Sequence, residues 1–193
     1  FAPALCNRID RNTGGIVIAA KNAETLRIMN EKIKAHEVEK SYLCITVGRP
    51  KPAEGKIEGF LLKDEAKKQV AFYHRPVPGG KTAVTLYRTL ETRGPLSLVE
   101  CRLLTGRTHQ IRVSMAEIGC PLLGDGKYGR GDVNRRYHET RQALYSYQLS
   151  FPFPTDAGAL NYLRDRTFTV AEVPFRDKYF PAPETREKNP VKS

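Results

Sequence analysis

Apolar residues recur along this chain in two rhythms, and the switches between them outline its elements. The run Ile16-Val17-Ile18-Ala19-Ala20 leaves a Gly14-Gly15 turn and predicts a buried strand. Asn22 then stands before a stretch in which Leu26, Met29 and Ile33 share one helical face, with Glu24 in the first turn. That pattern predicts a helix capped by Asn22 whose apolar stripe is core. Ser41 to Val47 reads as a strand, stopped by Gly48 and the Pro50/Pro52 pair. Four short strands are predicted next, from Lys56 to Leu62, Gln69 to His74, Thr82 to Glu91 and Leu96 to Leu104. Turns at Gly79-Gly80 and Arg93-Gly94-Pro95 separate the last three. With no long crossovers between them, antiparallel or mixed pairing follows. Thr108 to Ile118 carries Ile111, Met115 and Ile118 at helical spacing, with Gly119 as a stop. A glycine-rich loop from Gly124 to Gly129 and a strand from Gln142 to Phe151 complete an α+β organisation. Residues 1–180 are expected to form one domain, and the polar run from Pro181 to Ser193 a frayed tail.

Charge narrows the partners. Thirty-two Lys and Arg against 21 Asp and Glu give a net charge of +11, so an anionic partner is expected. No apolar stretch reaches the ~20 residues needed to span a bilayer, and no secretory signal opens the chain, so no membrane partner is expected. Cys6, Cys44, Cys101 and Cys120 are scattered without metal-ligand spacing, which argues against zinc and for free thiols in a reducing cytoplasm. The absence of an initial Met leads us to expect an N-terminal part beyond this chain.

Two segments carry candidate chemistry. In Asn7-Arg8-Ile9-Asp10-Arg11-Asn12-Thr13-Gly14-Gly15 one carboxylate sits between two arginines just before a tight turn. In Thr105-Gly106-Arg107-Thr108-His109-Gln110-Ile111-Arg112 two arginines, a histidine and an amide gather where a helix begins. Asp10 has two readings: a carboxylate that caps the turn by accepting backbone N–H groups, or an ionised group that does chemistry. Arg8 and Arg11 suit phosphates or a solvated surface equally well. Neither a metal-ligand cluster nor a glycine-rich phosphate loop is present, so no metal or organic cofactor is expected.

These residues resemble the RluA family of pseudouridine synthases. The family pattern His-Arg-Leu-Asp-Arg-x-Thr-Ser-Gly appears at Asn7 to Gly15, Lys-x-Tyr at Lys40-Ser41-Tyr42, and Thr-Gly-Arg-x-His-Gln-Ile-Arg at Thr105 to Arg112. Gly-Asp-x-x-Tyr-Gly falls on Gly124, Asp125, Tyr128 and Gly129, and Arg141-Gln142-Ala143-Leu144 resembles the strand that follows. The likeness runs in order from Asn7 to about Phe153. Asn7 stands where the family usually has His, Gly14 where it has Ser, Ser114 and Tyr145 where His is frequent.

The resemblance implies a pseudouridine synthase fold: a long mixed or antiparallel sheet in two half-domains, helices on one side, and a central basic cleft. It implies an isomerase that breaks the N-glycosidic bond of a uridine, rotates the base and rejoins it through C5. Asp10 would be the catalytic carboxylate, kept ionised by Arg107, and Tyr42 would stack on the uracil or take a proton. Arg11 would fill the space of a flipped base. Arg8, His109, Gln110, Arg112, Lys127 and Tyr128 would bind RNA. His109 reads equally well as a structural histidine, and the basic stretch around Lys127, Arg130, Arg135 and Arg136 as a solvated loop. Ribosomal RNA of the large subunit is the first expectation for substrate and transfer RNA the second. The enzyme is expected to be monomeric, with an S4-type RNA-binding domain ahead of it. A non-catalytic RNA-binding module and a glycosidase using a carboxylate pair are the rival classes, the second disfavoured because no second carboxylate stands out as the acid.

Overall fold

The computed structural model describes residues 1–182 of the 193. From residue 183 onward the segment expected to fray lies outside the described residues.

The chain opens with three two-residue strands, β1 (Ala4–Leu5), β2 (Gly14–Gly15) and β3 (Ala19–Ala20). β1 and β3 pair antiparallel as a small sheet of their own. The single buried strand expected from Ile16 to Ala20 is therefore replaced by two short pairings. Between them Val17 turns out to solvent, 40% exposed, so the apolar run never has a continuous partner. Helix α1 (Ala23–Lys34) starts as expected, with Asn22 Oδ1 accepting the Thr25 N–H at 2.8 Å. Its inner face holds Ile28 and Met29, and also Lys32, whose buried Nζ is paired to Glu37 at 2.7 Å and to Thr155.

Seven strands then build the main sheet: β4 (Glu39–Val47), β5 (Glu54–Asp64), β6 (Gln69–Tyr73), β7 (Lys81–Arg93), β8 (Leu96–Leu103), β9 (Leu144–Phe151) and β10 (Arg166–Thr169). Their order is β10-β9-β4-β8-β7-β5-β6, all antiparallel, and β2 joins as an eighth strand, parallel to β9. Period-two alternation explains the meander. On β7, Ala83, Thr85 and Tyr87 are buried while their neighbours face outward. β4 is buried on both faces, so it reads as a continuous apolar run. Tyr42 and Cys44 point into one cluster with Val99, Cys101, Ile111 and Met115. Leu43, Ile45 and Val47 point into another with Leu96, Leu98 and Leu123.

Helices lie on both faces, which corrects the one-sided arrangement expected. Helix α2 (Gln110–Glu117) packs Ile111 and Met115 on the first cluster. The second is closed by Val133 of α3 (Gly131–Arg136) and by Val173 and Phe180, which flank α4 (Pro174–Tyr179). These two short helices, a 3-10 turn over Gly158–Leu163 and β10 have no counterpart in the sequence expectations. All four cysteines are free thiols, with Cys44 and Cys101 buried side by side across β4 and β8 at 3.9 Å.

Candidate active site

The segment holding Asp10 is pinned on both sides. The Cys6 N–H donates to the Ile18 carbonyl at 2.8 Å, and Asn7 Oδ1 accepts the Ile18 N–H at 2.8 Å. Beyond Asp10, Thr13 N–H closes a turn onto the Asp10 carbonyl at 3.0 Å. The buried Gln142 amide donates to the Arg11 carbonyl at 2.6 Å and to Thr13 Oγ1 at 3.3 Å. Gly15 then runs against Ser146 at φ +114, where a Cβ would lie 2.1 Å from the Ser146 carbonyl oxygen, so only glycine fits. Asn7, in the place of the family's histidine, leaves its buried Nδ2 without a partner among the described residues.

The Asp10 carboxylate accepts no backbone N–H among the described residues, which removes the turn-capping reading. Its charged neighbour is Arg112, with Nη1 at 3.7 Å from Oδ2. Arg107, expected in that role, lies elsewhere: it is exposed, and its Nε donates to the Thr82 carbonyl at 2.8 Å. The reason is position on the helix. Arg107 precedes the α2 N-cap residue, His109, whereas Arg112 lies within α2 and is 5% exposed. There it meets Asp125, 1% exposed, in a two-point clamp: Nε donates to Oδ2 at 2.7 Å and Nη2 to Oδ1 at 2.9 Å. The Lys127 and Tyr128 N–H groups also donate to Asp125 Oδ1, at 2.8 and 3.1 Å. Burial alone would push the Asp125 carboxyl up, but Arg112 and these N–H groups outweigh it and hold it below its ordinary value.

Arg112 thus spends two donors on Asp125 and presents the third nitrogen toward Asp10. At 3.7 Å that contact is electrostatic and not a hydrogen bond. Asp10 feels a fixed cation yet keeps its lone pairs free, which is what a carboxylate nucleophile requires. The Tyr128 ring covers the guanidinium, its centroid 5.1 Å from Arg112 Cζ. Tyr128 Oη accepts the Val70 N–H at 2.8 Å and lies 2.7 Å from His109 Nδ1.

A cleft of about 810 Å³ opens beside Asp10. Its apolar surfaces come from Ile9, Tyr42, Ile111 and Leu144, and its charged side chains are Arg8, Lys40, Arg102 and Arg107 against Asp10 and Glu39. Four cations to two carboxylates make it a basic cleft, with apolar side chains among the residues that line it beside Asp10. Tyr42 is 6% exposed, and burial, then the Asp10 charge, push its phenol above the ordinary tyrosine value despite the opposing Ser146 side chain. The ring is therefore a neutral surface at neutral pH, not a ready base.

The other residues expected to bind RNA divide. Arg8 is exposed on the cleft. Gln110 reaches the cleft wall but spends its amide internally, accepting from Thr105 Oγ1 and Arg107 N–H and donating to Val84 O and Thr85 Oγ1. It shapes the loop and has no amide group left for RNA. Arg112 is occupied by its two carboxylates, and His109 is the left-handed N-cap of α2, φ 55. Arg11, Lys127 and Tyr128 lie outside the cleft lining. Sequence reasoning gave no role to Asp125, Gln142, Lys40 or Arg102. A carboxylate next to Leu122-Leu123 must find a cation if buried, and that was the available signal for Asp125.

Comparison with known proteins places the chain in a family. Residues 1–117 match the family model described as RNA pseudouridylate synthase. An uncharacterized RNA pseudouridine synthase of Chloroflexus aurantiacus is 35% identical over 152 residues, 79% of this chain and 46% of the relative. Ribosomal large subunit pseudouridine synthase D of Borreliella burgdorferi is 36% identical over 147 residues, 76% of this chain and 44% of the relative. This chain therefore spans just under half the length of these relatives. Human RNA pseudouridylate synthase domain containing 4 shares the fold, with a TM-score of 0.71 at 24% identity over 89% of this chain and 72% of that one. With the motif order, the Asp10–Arg112 pair and the basic cleft already described, the chain belongs to the RNA pseudouridylate synthase family, in its RluA-type branch.

Proposed function

We propose that this chain isomerises uridine to pseudouridine in RNA, with ribosomal RNA of the large subunit as substrate and Asp10 as the catalytic carboxylate. The observation that carries the reading is the Asp10 carboxylate, without a hydrogen bond among the described residues and 3.7 Å from a clamped Arg112, in a basic cleft partly lined by apolar side chains. A uracil turned out of its stack would lie against Tyr42, Ile111 and Leu144, bringing its ribose to Asp10. Asp10 then stabilises the sugar as the glycosidic bond breaks, by attack at C1′ or as a counter-charge. The base turns within the cleft and rejoins through C5, which gives up its hydrogen as a proton while N1, freed of the sugar, takes one up. Arg112 keeps its charge beside Asp10, and Tyr42 supplies the face on which the base turns. The choice of ribosomal RNA rests on relatives such as the Borreliella burgdorferi protein, which carries that substrate in its name.

The test is tritium release from transcripts labelled at uridine C5. Release from large-subunit ribosomal RNA supports the reading. Release from transfer RNA alone moves the target. No release from either, with salt-sensitive RNA binding intact, leaves an RNA-binding module.

A further inference from the structure

Among the described residues, Lys40 is a cleft cation that is half-buried and yet is used by neither the fold nor the chemistry above. It lies on β4 two residues before Tyr42, so the alternation of the strand sends both side chains to the same face. The other cleft cations differ: Arg102 lies 3.6 Å from Glu39, Arg107 bonds the Thr82 carbonyl, and Arg8 is exposed to solvent. Lys40 is half-buried, and among the described residues its Nζ has no hydrogen-bond acceptor and no carboxylate within 4 Å. Directly opposite is Gly106, where an added Cβ would stand 3.6 Å from that Nζ. The loop thus presents bare backbone at the ammonium instead of covering it.

We propose that Lys40 binds a backbone phosphate of the RNA strand entering the cleft, in a subsite walled by Gly106. This rests on the RNA reading given above. A half-desolvated ammonium with no counter-charge is unfavourable in the free protein and gains most when an anion arrives. Burial alone pushes the Lys40 ammonium below its ordinary value. A backbone phosphate supplies the anion that this ammonium lacks, whereas an uncharged uracil ring does not.

The experiment compares the wild-type chain with Lys40→Met, Lys40→Arg and the surface control Lys56→Met, whose lysine pairs with Glu58 on β5. Binding of oligouridylate is measured over a salt series, and tritium release from ribosomal RNA transcripts gives kcat and KM. Lys40→Met should flatten the salt slope by about 0.7 and raise KM about tenfold with kcat held within about twofold. Lys40→Arg should keep the wild-type slope, as should Lys56→Met. A slope unchanged by Lys40→Met overturns the proposal, as does a fall in kcat with KM unchanged. If the wild-type chain releases no tritium, the isomerase reading fails, and the salt slopes still decide the role of Lys40.

Discussion

Gly14 and Tyr145 face each other where β2 runs parallel to β9, and a Cβ on Gly14 would lie 2.6 Å from the Tyr145 ring. These are two of the positions at which the chain departs from the RluA pattern of Ser and His. The ring occupies the space a serine side chain would need, and it is held there by Phe175 at 6.4 Å between centroids. The two departures are one compensated change. Gly14→Ser alone should destabilise the fold by about 1–3 kcal/mol through overpacking, and Tyr145→His should recover much of that loss. Urea denaturation of the two single variants and the double variant measures the coupling. Strict additivity would show that the pair is independent.

The clamp on Arg112 separates two arginines of one motif. Arg112→Ala strands the buried Asp125 carboxylate and should cost about 3–5 kcal/mol of stability as well as activity. Arg107→Ala removes an exposed side chain bonded to one carbonyl and should stay within about 0.5 kcal/mol. Urea midpoints of the two variants check the contrast, and equal losses would contradict it.

Acid should weaken the fold partly through Asp125. Its carboxyl is held below the unfolded value, so the associated stability is fully present above about pH 4 and drains as pH falls toward the folded value. Asp125→Asn should start lower at neutral pH and lose less between about pH 4 and pH 2 than the wild type. Denaturant midpoints across that range test this, and parallel curves would rule Asp125 out as a source of the acid sensitivity.

Tyr42 should act through its ring. Tyr42→Phe keeps the apolar face and should hold KM within about threefold, whereas Tyr42→Leu gives up a stacking surface worth about 1–3 kcal/mol. Steady-state tritium release distinguishes them. If Tyr42→Phe is as damaged as Tyr42→Leu, the phenol itself takes part in the chemistry.

Strands with strong alternation were legible in the sequence. The meander from β5 to β8 lies close to where its apolar rhythm and glycine turns put it. What escaped notice has little local signal: every residue of β10 is exposed, and its hydrogen bonds depend on β9 being in place. The run from Ile16 to Ala20 misled because apolarity says nothing about which partner strand is available. At the site, the motifs named Asp10, Tyr42 and the arginine pair. Which arginine turns toward Asp10 depends on where α2 begins, and on a carboxylate, Asp125, that is brought in by the fold from 13 residues beyond Arg112. Lys40 was hidden for another reason: a lysine in a strand motif reads as surface until the bare backbone of Gly106 is seen standing opposite it.

We propose that Asp10, 3.7 Å from Arg112 and without a hydrogen bond to its carboxylate among the described residues, does the chemistry. Tritium release from ribosomal RNA by the wild-type chain and by Asp10→Asn, at matched RNA occupancy, tests it most directly. Release by the wild type and none by Asp10→Asn is the expected result, with RNA affinity kept because the variant removes a negative charge from a basic cleft. Release by Asp10→Asn at a rate near that of the wild type would contradict it.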